Sequence, residues 1–136
     1  MLTYLLDTSA WITHVFKEPG WDYINTLFDE DGSSIGISVV SLAELHSRLK
    51  ALGCDDQFES LCEFYRPLFE RIVPVDESVA LRAIALKRVA MDRLPSLDAF
   101  IASTACLHEA VLIHRDAHFQ CVPADRLKQK MLPAHG

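Results

Sequence analysis

Several features that define large protein classes are missing from this sequence. No apolar run approaches the ~20 residues that a transmembrane helix needs. The opening residues, Met1 to Asp7, lack the basic region and the cleavage site of a signal peptide. Neither of the glycine-rich loops that cradle phosphates, G-x-x-x-x-G-K-S/T and G-x-G-x-x-G, is present. We therefore expect a cytoplasmic protein without membrane contact, and we exclude P-loop and dinucleotide-binding enzymes.

The cysteines of this sequence are not arranged for metal binding. The four cysteines, Cys54, Cys62, Cys106 and Cys121, form no C-x-x-C pair. We therefore expect neither a zinc site nor a redox motif. Because free cysteine is among the residues most often buried, we predict reduced thiols that lie mostly in the core.

Positive charge is in short supply. Lys and Arg together number 13 against 19 Asp and Glu, which gives a net charge of -6. That balance is unusual for a protein that binds nucleic acid, because phosphate contacts come mainly from Lys and Arg. A group of carboxylates that holds cations would account for part of the excess. The charge therefore neither supports nor excludes an RNA substrate.

The pattern of apolar residues predicts strands that alternate with helices. The chain has 136 residues, half of them apolar, which fits one domain over 1–136 with a sizeable core. The predicted strands are 3–6, 35–40, 72–75 and 111–113, and the predicted helices are 9–16, 21–28, 41–52, 57–69, 77–91, one beginning at 95, and 124–132. This order indicates an α/β fold with a mostly parallel central sheet of four or five short strands flanked by helices.

Four residues mark where these elements begin and end. Gly53 is expected to end the third helix, and Pro67 to kink or shorten the fourth. Pro74 predicts that the third strand is ending or lies at an edge of the sheet, because proline cannot donate to a strand ladder. Asp76 is a candidate N-cap for the helix that follows.

Four acidic residues occupy equivalent places in this plan. Asp7 ends the first strand, Glu44 lies in the first turn of the helix after the second strand, Asp98 lies near the start of the helix after Pro95, and Asp116 follows the fourth strand. Sites in open parallel sheets form outside the carboxyl ends of the strands. Converging carboxylates repel one another unless cations compensate them, and Mg²⁺ and Mn²⁺ prefer such oxygen ligands. Metal-assisted hydrolysis of a phosphodiester suits this arrangement.

Each carboxylate also has a purely structural explanation. Ser41 and Glu44 match a capping box, and Asp98 would favour the helix dipole. Asp116 would fit an Asx turn, and Asp7 would cap the first helix. These explanations are stronger for each residue alone than for four residues at the same end of successive elements.

Four segments resemble the motifs of the PIN-domain family in order and spacing. They are LLDTS at 5–9, VVSLAEL at 39–45, LPSLDAFIASTA at 94–105 and LIHRDAHF at 112–119. The first resembles the family's apolar strand that ends in Asp, the second its Glu at the opening of a helix, and the third its Asp before an alanine-rich helix. The resemblance covers nearly the whole chain. It indicates the VapC-type toxins of bacterial and archaeal toxin–antitoxin pairs.

This resemblance implies an endoribonuclease that depends on Mg²⁺ or Mn²⁺. It also implies a homodimer, and a partner antitoxin whose C-terminal tail fills the groove. Carried over by position, the catalytic and metal-binding residues are Asp7, Glu44, Asp98 and Asp116, and Ser9 steadies the first of them or its water.

The sequence departs from the family pattern at two histidines. His114 stands where the family often has Thr or Ser, and His118 stands where it often has a further Asp. Neutral imidazole suits Mg²⁺ poorly and binds Mn²⁺ better. His118 would bias the choice of metal, contact the RNA phosphate, or have no role, and we favour the last interpretation.

Basic residues lie close to the motifs. Arg93 and Arg115 are candidate contacts for the RNA phosphates on either side of the cut, although solvated surface positions explain them equally well. For Arg48 and Lys50 we favour an exposed helix face.

Two other functions compete with a nuclease. An aspartyl-phosphate phosphatase would need a second Asp two positions after Asp7, where this chain has Ser9. A PIN-like module that binds RNA or protein without cutting is the remaining alternative, and the retention of all four acids argues against it.

Overall fold

The computed structural model describes residues 1–133 and has one five-stranded sheet in that range, with helices on both faces. Along the chain the elements are β1 (Tyr4–Leu6), α1 (Thr8–Val15), α2 (Trp21–Phe28), β2 (Ile35–Ser38), α3 (Val40–Ala51), α4 (Phe58–Tyr65), β3 (Arg71–Val73), α5 (Glu77–Val89), α6 (Ser96–Leu107), β4 (Val111–His114) and β5 (Gln129–Met131), with 3₁₀ turns at Asp55–Gln57 and Ala117–Cys121. The predicted α/β class with a parallel sheet is confirmed.

β1 lies at the centre of the sheet, whose strand order is β3-β2-β1-β4-β5. All four pairings are parallel, and Leu6 of β1 is in register with Ile37 on one side and Ile113 on the other. The chain leaves β1 toward β2 and later returns to the opposite side of β1 as β4. The topological switch point therefore lies between the carboxyl ends of β1 and β4, where open α/β sheets bind ligands.

Alternating side chains of the strands belong to two hydrophobic cores, one on each face of the sheet. Leu5 and Leu112 belong to the cluster under α5 and α6, whereas Leu6, Ile37 and Ile113 belong to the cluster under the other helices. Successive strand residues point to opposite faces, so a parallel sheet covered on both faces needs apolar residues throughout its strands. This requirement explains why the strands appear in the sequence as continuous apolar runs.

The predicted helix and strand ends are largely present. Gly53 follows α3 with a φ of +75°, which glycine adopts without strain. α4 ends at Tyr65, before Pro67, so the helix is shorter than the predicted 57–69. The Asp76 carboxylate accepts a hydrogen bond of 3.0 Å from the Val79 amide and caps α5.

The helix predicted over 124–132 is wrong. That segment forms a turn followed by the edge strand β5. β5 pairs in parallel with β4, and flanking bonds run from the Leu112 amide to the Lys128 carbonyl at 2.9 Å and from the Leu132 amide to the His114 carbonyl at 2.6 Å. The open edge of β4 supplies hydrogen-bond partners for the backbone of 129–131, whereas a short isolated helix is only marginally stable in water. Pairing with β4 therefore overrides the local helix propensity.

The cysteine prediction is half correct. All four thiols are free, but each is only partly buried and none lies fully within the core. Within residues 1–133, no helix is both long enough and apolar enough to cross a membrane.

Candidate active site

Asp7 and Asp116 flank the switch point of the sheet. Asp7 directly follows β1, and its Oδ1 accepts a hydrogen bond of 2.8 Å from the Ala10 amide, which caps α1. Asp116 follows β4, and its Oδ1 accepts a bond of 2.9 Å from the His118 amide, which closes an Asx turn. Both structural roles considered from the sequence are therefore real. These hydrogen bonds hold both carboxylates at the edge of the sheet where the switch point lies.

Ser9 is held between the two strand ends. Its hydroxyl donates to Asp7 Oδ1 at 2.7 Å and accepts from the Arg115 amide at 2.9 Å. This is the contact that the resemblance implies for Ser9. It joins the segment after β1 to the segment after β4.

Asp98, Asp116 and His118 form a compact cluster of possible ligands. His118 Nδ1 lies 3.0 Å from Asp116 Oδ1 and 3.4 Å from Asp98 Oδ2. One oxygen of each carboxylate and one imidazole nitrogen all lie within 4.8 Å of one another. The 3₁₀ turn at Ala117–Cys121 brings His118 back beside Asp116. The prediction that His118 has no role did not anticipate this contact.

The charge on Asp7 is costly in the metal-free protein. Burial raises the pKa of this carboxyl to about 7, although the hydrogen bonds from Ser9 and Ala10 oppose the rise. The charges of Asp116 and Asp98 raise this pKa further. Asp7 is thus close enough to both carboxylates to be repelled by them, and a bound cation would relieve the repulsion.

The charge on Asp98 is also unfavourable, although the pKa of this carboxyl is raised less than that of Asp7. Burial and then the charge of Asp116 raise its pKa to about 6, and Glu44 also raises it, while His118 lowers it. The charges of Asp116 and Glu44 therefore act on Asp98, and the charges of Asp98 and Asp116 act on Asp7. Asp98 and Asp116 belong to the compact cluster, and Asp7 and Glu44 interact with it through their charges.

Glu44 is held by a residue that the sequence did not single out. Its Oε1 accepts a hydrogen bond from the Thr8 hydroxyl, which also lies 2.9 Å from the Ser41 hydroxyl. α3 begins at Val40, so Glu44 lies beyond its first turn, and the N-cap residue is Val39, which makes no side-chain capping bond. The capping-box explanation for Glu44 is therefore wrong. No local signal in the sequence marks this contact, because Thr8 and Glu44 are 36 residues apart.

An open groove of about 670 Å³ begins at Glu44. Its walls come from α1, α3 and the start of α6, and they are mostly apolar with a few polar groups. The lining residues are Thr8, Ile12, Val40, Ala43, Glu44, Ser47, Arg48, Ala51 and Leu97. Arg48 lies on an exposed face of α3, as predicted, and it also contributes a cation to this groove.

The two predicted phosphate contacts differ in their surroundings. The Arg115 guanidinium pairs with Glu18 at 3.1 Å, donates to the Pro133 carbonyl at 2.8 Å, and also contacts the Pro19 carbonyl. Its side chain is only 8% exposed, so these bonds give it a structural role. Arg93 is exposed in the segment that leads into α6.

His114 is a buried supporting residue. The Asp116 amide donates to its Nδ1 at 3.2 Å, so the proton is on Nε2, which lies 2.8 Å from Gln129 Oε1. Burial lowers the pKa of His114, in keeping with a neutral ring. His114 therefore links β4, β5 and the backbone of Asp116.

The donor set fits a divalent cation. Carboxylate oxygens suit Mg²⁺ and Mn²⁺, and the cluster offers two of them beside an imidazole nitrogen. The nearby buried carboxyl of Asp7, whose ionisation is unfavourable without a counter-charge, fits the same conclusion.

Comparison with known proteins agrees with this geometry. The family model described as the PIN domain matches residues 4–124. The structure is similar to a chain of VapBC2 from Rickettsia felis bound to a promoter DNA fragment (20% identity, 97% of this chain and 100% of the other, TM-score 0.77). It is also similar to a chain of FitAcB from Neisseria gonorrhoeae (26%, 93% and 96%, 0.71) and of a toxin–antitoxin complex from Klebsiella pneumoniae (24%, 89% and 93%, 0.66). No curated protein matches the sequence.

Proposed function

Because the chain belongs to the PIN-domain family, we propose that it is a metal-dependent endoribonuclease and the toxin of a toxin–antitoxin pair. The observation that carries the proposal is the gathering of Asp98 and Asp116 with His118 beside the buried Asp7 at the switch point of the sheet, where burial and then the charges of neighbouring carboxylates raise the pKa of Asp7 and Asp98. A structural role alone does not explain such an unfavourable arrangement, whereas a cation site does.

In this proposal, Asp7, Asp98, Asp116 and Glu44 hold Mg²⁺ or Mn²⁺, and Ser9 positions Asp7. A bound cation would lower the pKa of a water molecule and neutralise charge on the phosphate. Hydrolysis forms a bond from the water oxygen to phosphorus and breaks the bond from phosphorus to one ribose oxygen. One of the carboxylates takes the proton of the water, and the departing ribose oxygen takes a proton from solvent.

The groove beside Glu44 is the proposed path of the RNA. Arg48 lines it and Arg93 is exposed before α6, and in this proposal both contact phosphates of the RNA. Arg115 enters the proposal as a positioning residue, because its amide donates to Ser9. The protein would act in the cytoplasm, where its RNA substrate is found.

The same groove is the proposed binding site of the antitoxin tail. Its apolar walls, formed in part by Ile12, Val40 and Leu97, suit an amphipathic segment of a partner protein. The toxin–antitoxin complex from Klebsiella pneumoniae has a chain with this fold. We also propose a homodimer, since Leu81 and Ile84 of α5 are 58% and 46% exposed, as apolar residues at an interface would be in a single chain.

The nuclease is tested with the purified chain, freed of any antitoxin, and total cellular RNA. The incubations contain Mg²⁺, Mn²⁺ or EDTA, and run beside Asp7→Asn and the control Asp76→Asn, which changes an exposed helix cap outside the cluster. We expect discrete cuts with metal, none with EDTA, none with Asp7→Asn, and unchanged cutting with the control. Sequencing of the new ends would identify the substrate.

If the folded chain cuts no RNA with either metal, the proposal that it is a nuclease is overturned. If that chain still retains RNA in a filter-binding assay, the non-catalytic module becomes the better explanation. Light scattering tests the homodimer, and co-purification with the product of a neighbouring short reading frame tests the antitoxin.

A further inference from the structure

His118 has no part in the hydrolysis described above, yet it lies within the acidic cluster. Its Nδ1 is 3.0 Å from Asp116 Oδ1 and 3.4 Å from Asp98 Oδ2. Two adjacent ligands of an octahedral ion, each ~2.1 Å from it, lie about 3 Å apart. Both distances from His118 Nδ1 are therefore close to the spacing of adjacent ligands on a shared ion, and the two carboxylates offer oxygens within 4.8 Å of each other.

The backbone holds His118 at this place. Asp116 Oδ1 accepts from the His118 amide at 2.9 Å, so the residue that shares the cluster also fixes the turn. The next residue, Phe119, is fully buried, and Gln129 Nε2 donates to its carbonyl at 2.9 Å. The imidazole is exposed, but it extends from a turn that is anchored on both sides. Little ordering is therefore needed for it to bind an ion.

We propose that His118 is a metal ligand, together with Asp98 and Asp116, and that it makes the centre prefer Mn²⁺ to Mg²⁺. This inference rests on the proposed function, because it assumes the same metal centre. Mg²⁺ favours oxygen ligands and retains water, whereas an imidazole nitrogen is a softer donor that suits transition-metal ions. One nitrogen among the ligands therefore weakens Mg²⁺ relative to Mn²⁺.

The test measures metal binding without RNA. Metal-free protein is titrated with MnCl₂ and with MgCl₂ by calorimetry, in the wild type, in His118→Asp, and in His46→Gln, an exposed histidine outside the cluster. Pulsed EPR of the Mn²⁺ complex reports a directly bonded imidazole nitrogen. The Asp variant adds charge that tightens both ions, so the ratio of the two dissociation constants isolates the effect of the nitrogen.

We expect nitrogen coupling in the wild type and its loss in His118→Asp. The ratio of the Mg²⁺ to the Mn²⁺ dissociation constant should fall by about tenfold or more in that variant and stay unchanged in His46→Gln. Equal ratios without nitrogen coupling would overturn the inference, and His118 would then be an ion-pair partner that the metal displaces. Nitrogen coupling in a protein that cuts no RNA would support this inference while the nuclease fails. Binding of neither ion would overturn both.

Discussion

Removal of the charge on Asp7 should stabilise the metal-free protein, although it should abolish the proposed cleavage of RNA. Asp7 is 4% exposed, and its pKa is about 7 in the folded protein against 3.8 as its ordinary value. In Asp7→Asn the amide oxygen can still accept from Ala10 and Ser9, as Asp7 Oδ1 does at 2.8 and 2.7 Å. The cap is therefore kept while the charge is lost.

The size of the effect follows from the shift in pKa. A carboxyl whose pKa is raised by folding contributes stability that is full below its unfolded pKa and is lost as the pH rises through the folded value. Between pH 5 and pH 8 the wild type loses this contribution over two pH units, from 5 to about 7, or about 3 kcal/mol. Asp7→Asn has no such loss, so its advantage over the wild type should grow by about that amount.

Urea unfolding in EDTA at pH 5 and pH 8, at fixed protein concentration, measures this difference. The comparison between pH values cancels whatever the amide does to packing. Asp76→Asn is the control, because Asp76 caps α5 through the Val79 amide in the same way but is exposed. If Asp7→Asn changes the free energy of unfolding equally at both pH values, the account of a costly buried charge at Asp7 is incorrect.

Three further predictions concern catalysis, metal binding and packing. Glu44→Gln should lower the rate of RNA cleavage about 100-fold or more with little change in melting temperature; a smaller loss would place Glu44 outside the machinery. Saturating Mn²⁺ should raise the melting temperature more at pH 8 than at pH 5, because protons compete for the carboxyl of Asp7; an equal rise would argue for a site elsewhere. Gly36→Ala should lower the free energy of unfolding by about 1–3 kcal/mol, since the new Cβ would lie 2.5 Å from Leu2 Cδ1 and 2.7 Å from the Arg71 carbonyl oxygen. If the variant unfolds at the same urea concentration as the wild type, this prediction is wrong.

Local sequence patterns were sufficient for the order of the elements from β1 to β4 and for the positions of the four acids along that order. Strands buried on both faces are continuous apolar runs, and an Asp at the end of such a run is visible without tertiary information. Gly53 and Asp76 were identified for the same reason, because a left-handed backbone and a helix cap are properties of a few consecutive residues.

Contacts between distant parts of the chain were not available from those patterns. Thr8 and Glu44 are 36 residues apart, and Arg115 and Glu18 are 97 residues apart, so nothing in either neighbourhood indicates the bond. From the sequence, an RNA contact and a solvated surface position explain Arg115 equally well, whereas the fold directs its side chain to Glu18 and to backbone carbonyls.

The sequence by itself determined an α/β sheet with four acids at strand and helix ends, because those features depend on short-range periodicity. Only the tertiary structure decided that 129–131 is a strand, since three residues carry too weak a propensity and the open edge of β4 supplies their partners. It also decided that His118 joins Asp98 and Asp116. A ligand cluster is a property of distance in space, and the fold of the sheet sets that distance.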